Sequence, residues 1–156
     1  MVGNTSAATE RSLGKVLAPY LADPANAFVV SSDFAHWGLR FRYTHYQPGT
    51  GAATSLRASS KAPTDPEIHE SIKRVDFECM GACESGSHQS WLDVLRDTGN
   101  TVCGRHPIGV VMAGLESLRE GGGDGLFKFV RYERSGEVSK VADSSVSYAS
   151  AFAVLQ

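Results

Sequence analysis

Residues 6–31 constrain the fold more than any other stretch of the chain. Leu13, Val16, Leu17, Tyr20 and Leu21 recur at helical spacing through residues 6–22, which predicts an amphipathic helix. Asp23-Pro-Ala-Asn26 stops it. Ala27-Phe-Val-Val-Ser31 follows, a short apolar run that reads as a strand buried on both faces, as strands are inside a parallel sheet. Helix, turn and buried strand in that order predict an α/β fold.

The rest of the chain extends the pattern. Residues 47–63 are rich in Gly, Ser, Ala and Pro and read as a flexible insertion on the surface. Thr64-Asp-Pro-Glu67 has the form of a capping box opening a helix with Ile68, Ile72, Val75, Met80 and Cys83 along one face. A second helix over 88–97 turns Trp91, Leu92 and Leu95 inward and closes at Gly99-Asn100. A third opens near Pro107, buries Ile108, Val111, Met112, Leu115 and Leu118, and ends at Gly121-Gly-Gly123. Leu126–Arg134 alternates apolar and basic residues as a half-exposed strand, and 144–154 forms a last strand. Met1-Val-Gly-Asn4 reads as the tail of a strand, as though the chain began inside a larger fold.

Composition narrows the function. The 156 residues, 42% of them hydrophobic, suit one domain over 1–156 with a real core. A net charge of −2 with scattered Lys and Arg speaks against nucleic acid. No apolar run approaches the roughly 20 residues that span a bilayer, so no membrane role is expected. The three cysteines are irregularly spaced, with no CxxC pair, so they read as reduced thiols of a cytoplasmic protein rather than a disulfide framework or structural zinc site. There is no P-loop, GxGxxG, HExxH or GxSxG.

Cys103 is the residue most suited to chemistry. It precedes a helix N-terminus and is flanked by Arg105 and His106, a setting that favours thiolate and suits a metal ligand or nucleophile. The plain alternative is a small buried thiol. His36 follows the first strand, with Asp33 before it and Trp37 after it. It reads as a metal ligand, or as a general acid or base oriented by Asp33, against a hydrogen-bonded loop histidine. Arg105 suits an anion or a pairing with Asp33, and His106 suits ligand contact or support of the loop. Trp37 reads as packing or as a wall of the ligand crevice. Cys79 and Cys83, four residues apart, read as core rather than as soft-metal ligands. His45, His69 and His88 read as surface residues.

Several blocks, in order, resemble the Memo family, named for a mediator of cell motility. They are Leu21-Ala-Asp-Pro24, Phe28-Val-Val-Ser-Ser-Asp-Phe34, His36-Trp-Gly38, Arg40-Phe-Arg-Tyr43, Thr101-Val-Cys-Gly-Arg-His-Pro-Ile-Gly109 and Asp143-Ser-Ser-Val-Ser-Tyr-Ala149. The resemblance covers the chain apart from 47–63. It implies a sheet flanked by helices like that of class III extradiol dioxygenases, with this chain as the C-terminal half and the N-terminal half missing. It implies a redox metal, iron or copper, with Cys103 as ligand and His36 in the place of the dioxygenases' acid–base histidine, and hence a metal-dependent oxidoreductase. The family's other histidine ligands have no counterpart here, so the site would be incomplete without the missing half or a second chain. It also implies redox or cell-motility signalling, or a binding module for phosphotyrosine or acidic peptides.

Overall fold

Four helices and two small antiparallel sheets make up the described residues, 3–122 and 125–155, of a computed structural model. The chain runs through α1 (Ala7–Leu21), β1 (His36–Trp37), β2 (His45–Tyr46), β3 (Thr54–Ser55), α2 (Ile68–Glu84), α3 (His88–Thr98), α4 (Arg105–Glu120), β4 (Lys128–Arg134) and β5 (Ser145–Phe152). A 3₁₀ turn at Leu39–Phe41 joins β1 to β2. The mixed α and β content matches the expectation. The parallel sheet does not form among the described residues: the strand order is β1-β5-β4, all antiparallel, with β2 and β3 paired apart. Parallel neighbours need a crossover connection of a dozen or more residues, usually a helix, whereas β4 and β5 are joined by residues 135–144, which form no helix.

The apolar run at 27–31 is not a strand. Val29 is 95% exposed and Phe28 is also exposed. Ladder bonds to β5 begin only at Phe34, whose N–H donates to Ser147 O at 2.8 Å, and Ser147 N–H returns to Ala35 O at 3.0 Å. An apolar cavity of about 680 Å³ lies between the segment around Phe28, α4 and the sheet residues Phe129 and Phe152.

α1 also turns differently from the expected stripe. Ser6 caps it, accepting the Thr9 N–H at 3.2 Å. Its buried face is Glu10, Gly14, Ala18 and Leu21, while Leu13, Val16 and Tyr20 are exposed. Small residues win because α1 lies almost backbone to backbone on α4: a Cβ on Gly14 would sit 2.6 Å from Gly114 N. The capping box at Thr64–Glu67 is absent too. α2 opens at Ile68 with Glu67 as a cap that makes no side-chain bond. α3 starts at a capping Ser87, ends at Gly99 in the left-handed region (φ 62°), and buries Trp91 and Leu95 as expected.

α2, α3 and α4 enclose one core cluster with Trp91, Met112 and both Cys79 and Cys83. A second cluster gathers Trp37, Tyr46, Ile72 and Val138 around the start of α2. Residues 47–63 carry β3 and drop Leu56 into that second cluster, where Thr44 Oγ1–H donates to Leu56 O at 2.7 Å. Gly121 caps α4 as expected, while Gly123 of the same glycine run lies outside the described residues. Met1 and Val2 of the expected strand tail also lie outside them, and Gly3 and Asn4 are in no strand.

Candidate functional site

Two chain segments meet to form the site. Residues 31–36 run past the loop 100–104 that enters α4, and the pairing is polar throughout. Cys103 N–H donates to Asp33 O at 3.3 Å, and Asp33 N–H donates back to Cys103 Sγ at 3.2 Å. Gly104 N–H donates to Ser32 Oγ at 2.9 Å. The approach requires glycine: a Cβ on Gly104 would lie 2.7 Å from Ser31 O. Cys103 is exposed, so the small-buried-thiol alternative does not describe it.

His36 is fixed by the same loop. Its backbone N–H donates to Thr101 Oγ1 at 2.8 Å. Its Nδ1 faces two carbonyl oxygens, Phe34 O at 3.1 Å and Thr101 O at 3.2 Å. Carbonyl oxygens only accept, so Nδ1 carries the hydrogen and the neutral ring keeps its lone pair on Nε2. Nε2 lies 3.7 Å from Asp33 Oδ2, and Phe41 packs edge-on against the ring at 5.4 Å. The structure therefore brings Cys103, Asp33 and His36 to one place. Among the described residues no three His, Cys, Asp or Glu side chains gather as a metal-holding group.

The other expected site residues are placed differently. Trp37 is 1% exposed, in the core, with its indole N–H donated to His45 O at 2.8 Å, so it walls no open crevice. Arg105 makes no ion pair with Asp33; among the described residues its guanidinium has no polar partner, and its carbonyl accepts the Trp91 indole N–H at 3.1 Å. His106 turns away from Cys103 toward α1, where its Nδ1 lies 2.7 Å from Glu10 Oε1. Three histidines expected at the surface are not simply there. His88 is fully buried, its Nε2 2.7 Å from Glu10 Oε2. His45 is half-buried and stacked on Tyr43, and burial lowers its pKa. His69 is half-buried between Glu67 and Glu70. Cys79 and Cys83 are core, as expected, with burial pushing the Cys79 thiol up to about 12 and the Cys83 thiol higher.

Sequence reasoning missed Glu10, Ser32, Asp76, Asn100 and Thr101, which hold these elements together. One signal was available. Asp76 falls on the buried face of α2, between Ile72 and Cys79, where an unpartnered carboxyl group would be costly.

A mixed α/β protein with an exposed thiol and a tautomer-fixed imidazole, both next to Asp33, is the class that fold and site define. Comparison with known proteins places it further. The Memo family, described as "Memo-like protein", matches residues 1–152. Protein MEMO1 of Danio rerio is 41% identical over 149 residues, covering 96% of this chain and 45% of its own length. Protein MEMO1 of Homo sapiens is 40% identical with the same coverage. A MEMO1 family protein of Schizosaccharomyces pombe is 40% identical over 98% of this chain and 50% of its own. The chain belongs to the Memo family. It spans about half the length of these relatives, and the matches do not place that half at their C-terminal end.

Proposed function

We propose that this chain supplies a thiolate and an imidazole, Cys103 and His36, to a redox-metal site of iron or copper, with a role in redox or cell-motility signalling. The observation that carries the reading is the fixed tautomer of His36. Two carbonyls hold Nδ1–H, which leaves Nε2 as the donor, beside the Asp33 whose N–H meets Cys103 Sγ. Sulfur and imidazole donors suit copper and iron. Two such donors do not complete a site for either metal, so the remaining ligands come from outside the described residues. The metal would supply a one-electron couple. The chain's own part is to hold the donors, with the Phe34 and Thr101 carbonyls rather than the Asp33 carboxylate orienting His36. A dioxygenase-like arrangement, oxidoreductase activity and a cytoplasmic setting with reduced thiols belong to the same proposal.

The test is anaerobic equilibrium dialysis of the chain against Fe(II) and, separately, Cu(I), followed by elemental analysis of both compartments, because buffer ligands fill the open positions and two protein donors hold a metal too weakly to survive desalting. Wild type retains one of the metals, and Cys103→Ser and His36→Ala each reduce retention to background. Equal retention in wild type and Cys103→Ser overturns the reading.

Arg105, at the first turn of α4 and with no side-chain partner among the described residues, favours a second reading, a binding module for acidic or phosphotyrosine peptides. Its mark is a peptide affinity that survives chelation and drops in Arg105→Ala.

A further inference from the structure

Asp76 sits mid-way along α2 with no exposed surface, and its carboxyl group joins four separate parts of the chain. Oδ1 accepts the Ala35 N–H at 3.2 Å and the Asn100 side-chain N–H at 2.9 Å. Oδ2 accepts the Tyr132 hydroxyl at 2.8 Å, and that hydroxyl lies 3.2 Å from Ser147 Oγ. Ala35 immediately precedes His36. Asn100 immediately precedes Thr101, whose hydroxyl and carbonyl hold His36, and stands three residues before Cys103. One carboxyl oxygen thus bridges the two segments that bear the site.

A position of this burial is ordinarily filled by an apolar side chain, because a buried carboxyl group is costly even when hydrogen-bonded. Burial raises the pKa of Asp76 in spite of all its partners, so the group costs stability where it is. What the carboxyl does, and a leucine could not, is accept from both site segments at once.

We propose that Asp76 is a positioning residue that sets the placement of His36 relative to Cys103 by holding residues 33–36 and 100–103 against each other. The inference rests on the reading of Cys103 and His36 as the working pair. It concerns a residue that touches neither of them.

The test uses the metal-free chain and two local readings. One is the alkylation rate of Cys103 at fixed pH; the other is the tautomer of His36 from the ¹⁵N shifts of its ring. Asp76→Asn keeps an oxygen facing Ala35 and Asn100, and its amide N–H can donate to Tyr132, whose hydroxyl then turns to Ser147. This variant leaves both readings as in wild type. Asp76→Ala removes the bridge, changes the alkylation rate by about fivefold or more, and releases the Nδ1–H tautomer. Tyr132→Phe cuts only the arm to β4 and leaves both readings in place. If Asp76→Ala does not fold, Asn100→Ala, which cuts the arm to the Cys103 loop alone, must still change the alkylation rate. The proposal is overturned by unchanged readings in folded Asp76→Ala, by an unchanged rate in Asn100→Ala, or by equal shifts in Tyr132→Phe, which would mark general loosening. A wild type that retains no metal, with the Asp76 effects intact, defeats the metal reading and leaves the positioning role standing.

Discussion

Oε1 of Glu10 lies 2.7 Å from Nδ1 of His106, across 96 residues of chain. The same carboxyl group reaches His88 Nε2 with its other oxygen at 2.7 Å, and takes the Thr5 hydroxyl at 3.0 Å. His88 opens α3 and His106 lies in the first turn of α4, so Glu10 stands where two helix N-termini converge. The positive ends of the two helix dipoles favour negative charge there. Glu10 is therefore the polar pin that docks α1 on both helices. Glu10→Ala leaves two imidazoles without their acceptor, one of them fully buried, and is expected to cost about 3 kcal/mol. Glu10→Gln keeps one acceptor and costs less. Urea unfolding checks this, and an Ala variant within about 0.5 kcal/mol of wild type, the range of neutral surface changes, rules out the pin.

The three thiols differ enough to be counted separately. Cys103 is exposed, whereas Cys79 and Cys83 lie in the core with their thiols held protonated by burial. Alkylation needs an accessible thiolate. In the native protein at pH 8, mass spectrometry should find one alkyl group, on Cys103, and three after denaturation. Native labelling of Cys79 at a rate near that of Cys103 contradicts the packing of α2.

How far the sequence led depended on whether the signal was local. Helix ends at Ser6, Ser87 and Gly99 are set by short-range capping, and α3 and α4 lie where spacing and turn residues put them. The nearness of Cys103, Asp33 and His36 was foreshadowed because each belongs to an unusual polar run leading into an element, β1 for Asp33 and His36 and α4 for Cys103. Apolar runs misled where partners decide. Val29 reads as core by composition, but among the described residues no strand covers it and it is exposed. The stripe of Leu13, Val16 and Tyr20 loses to Gly14 and Ala18, because backbone proximity to Gly114 is a property of the pair of helices and not of α1. Trp37 and His88 went astray for the same reason. Whether a side chain faces a crevice or a core depends on residues far along the chain, here His45 and Glu10.

Asp76 gives the protein a pH dependence with a definite sign. Its folded-state pKa is raised above the ordinary 3.8, chiefly by burial. Between those two values the native state holds more protons than the unfolded chain, so rising pH removes stability. The loss begins near pH 4 and is complete once the raised folded-state value is passed. Asparagine has no such titration. Urea midpoints of wild type and Asp76→Asn, measured from pH 4 to pH 8, should show wild type losing ground relative to the variant as pH rises and then levelling. A constant difference, or wild type gaining with pH, shows that the carboxyl group is not desolvated as the fold implies.

Gly14 and Gly81 form a matched pair for the packing of the helices. Both lie inside helices, where alanine is the better helix former by about 1 kcal/mol. At Gly81 an added Cβ meets nothing within 4 Å, so Gly81→Ala should stabilise by about that amount. At Gly14 the Cβ would lie 2.6 Å from Gly114 N and 2.8 Å from Ala113 C, both backbone atoms that cannot swing aside. Separating α1 from α4 also pulls Glu10 from His88 and His106, so the overpacking cost, about 2 kcal/mol net, outweighs the propensity gain. Thermal or urea unfolding should move in opposite directions for the two variants. If Gly14→Ala stabilises as Gly81→Ala does, α1 is not seated on α4 at this distance, and the Glu10 pin cannot be closed.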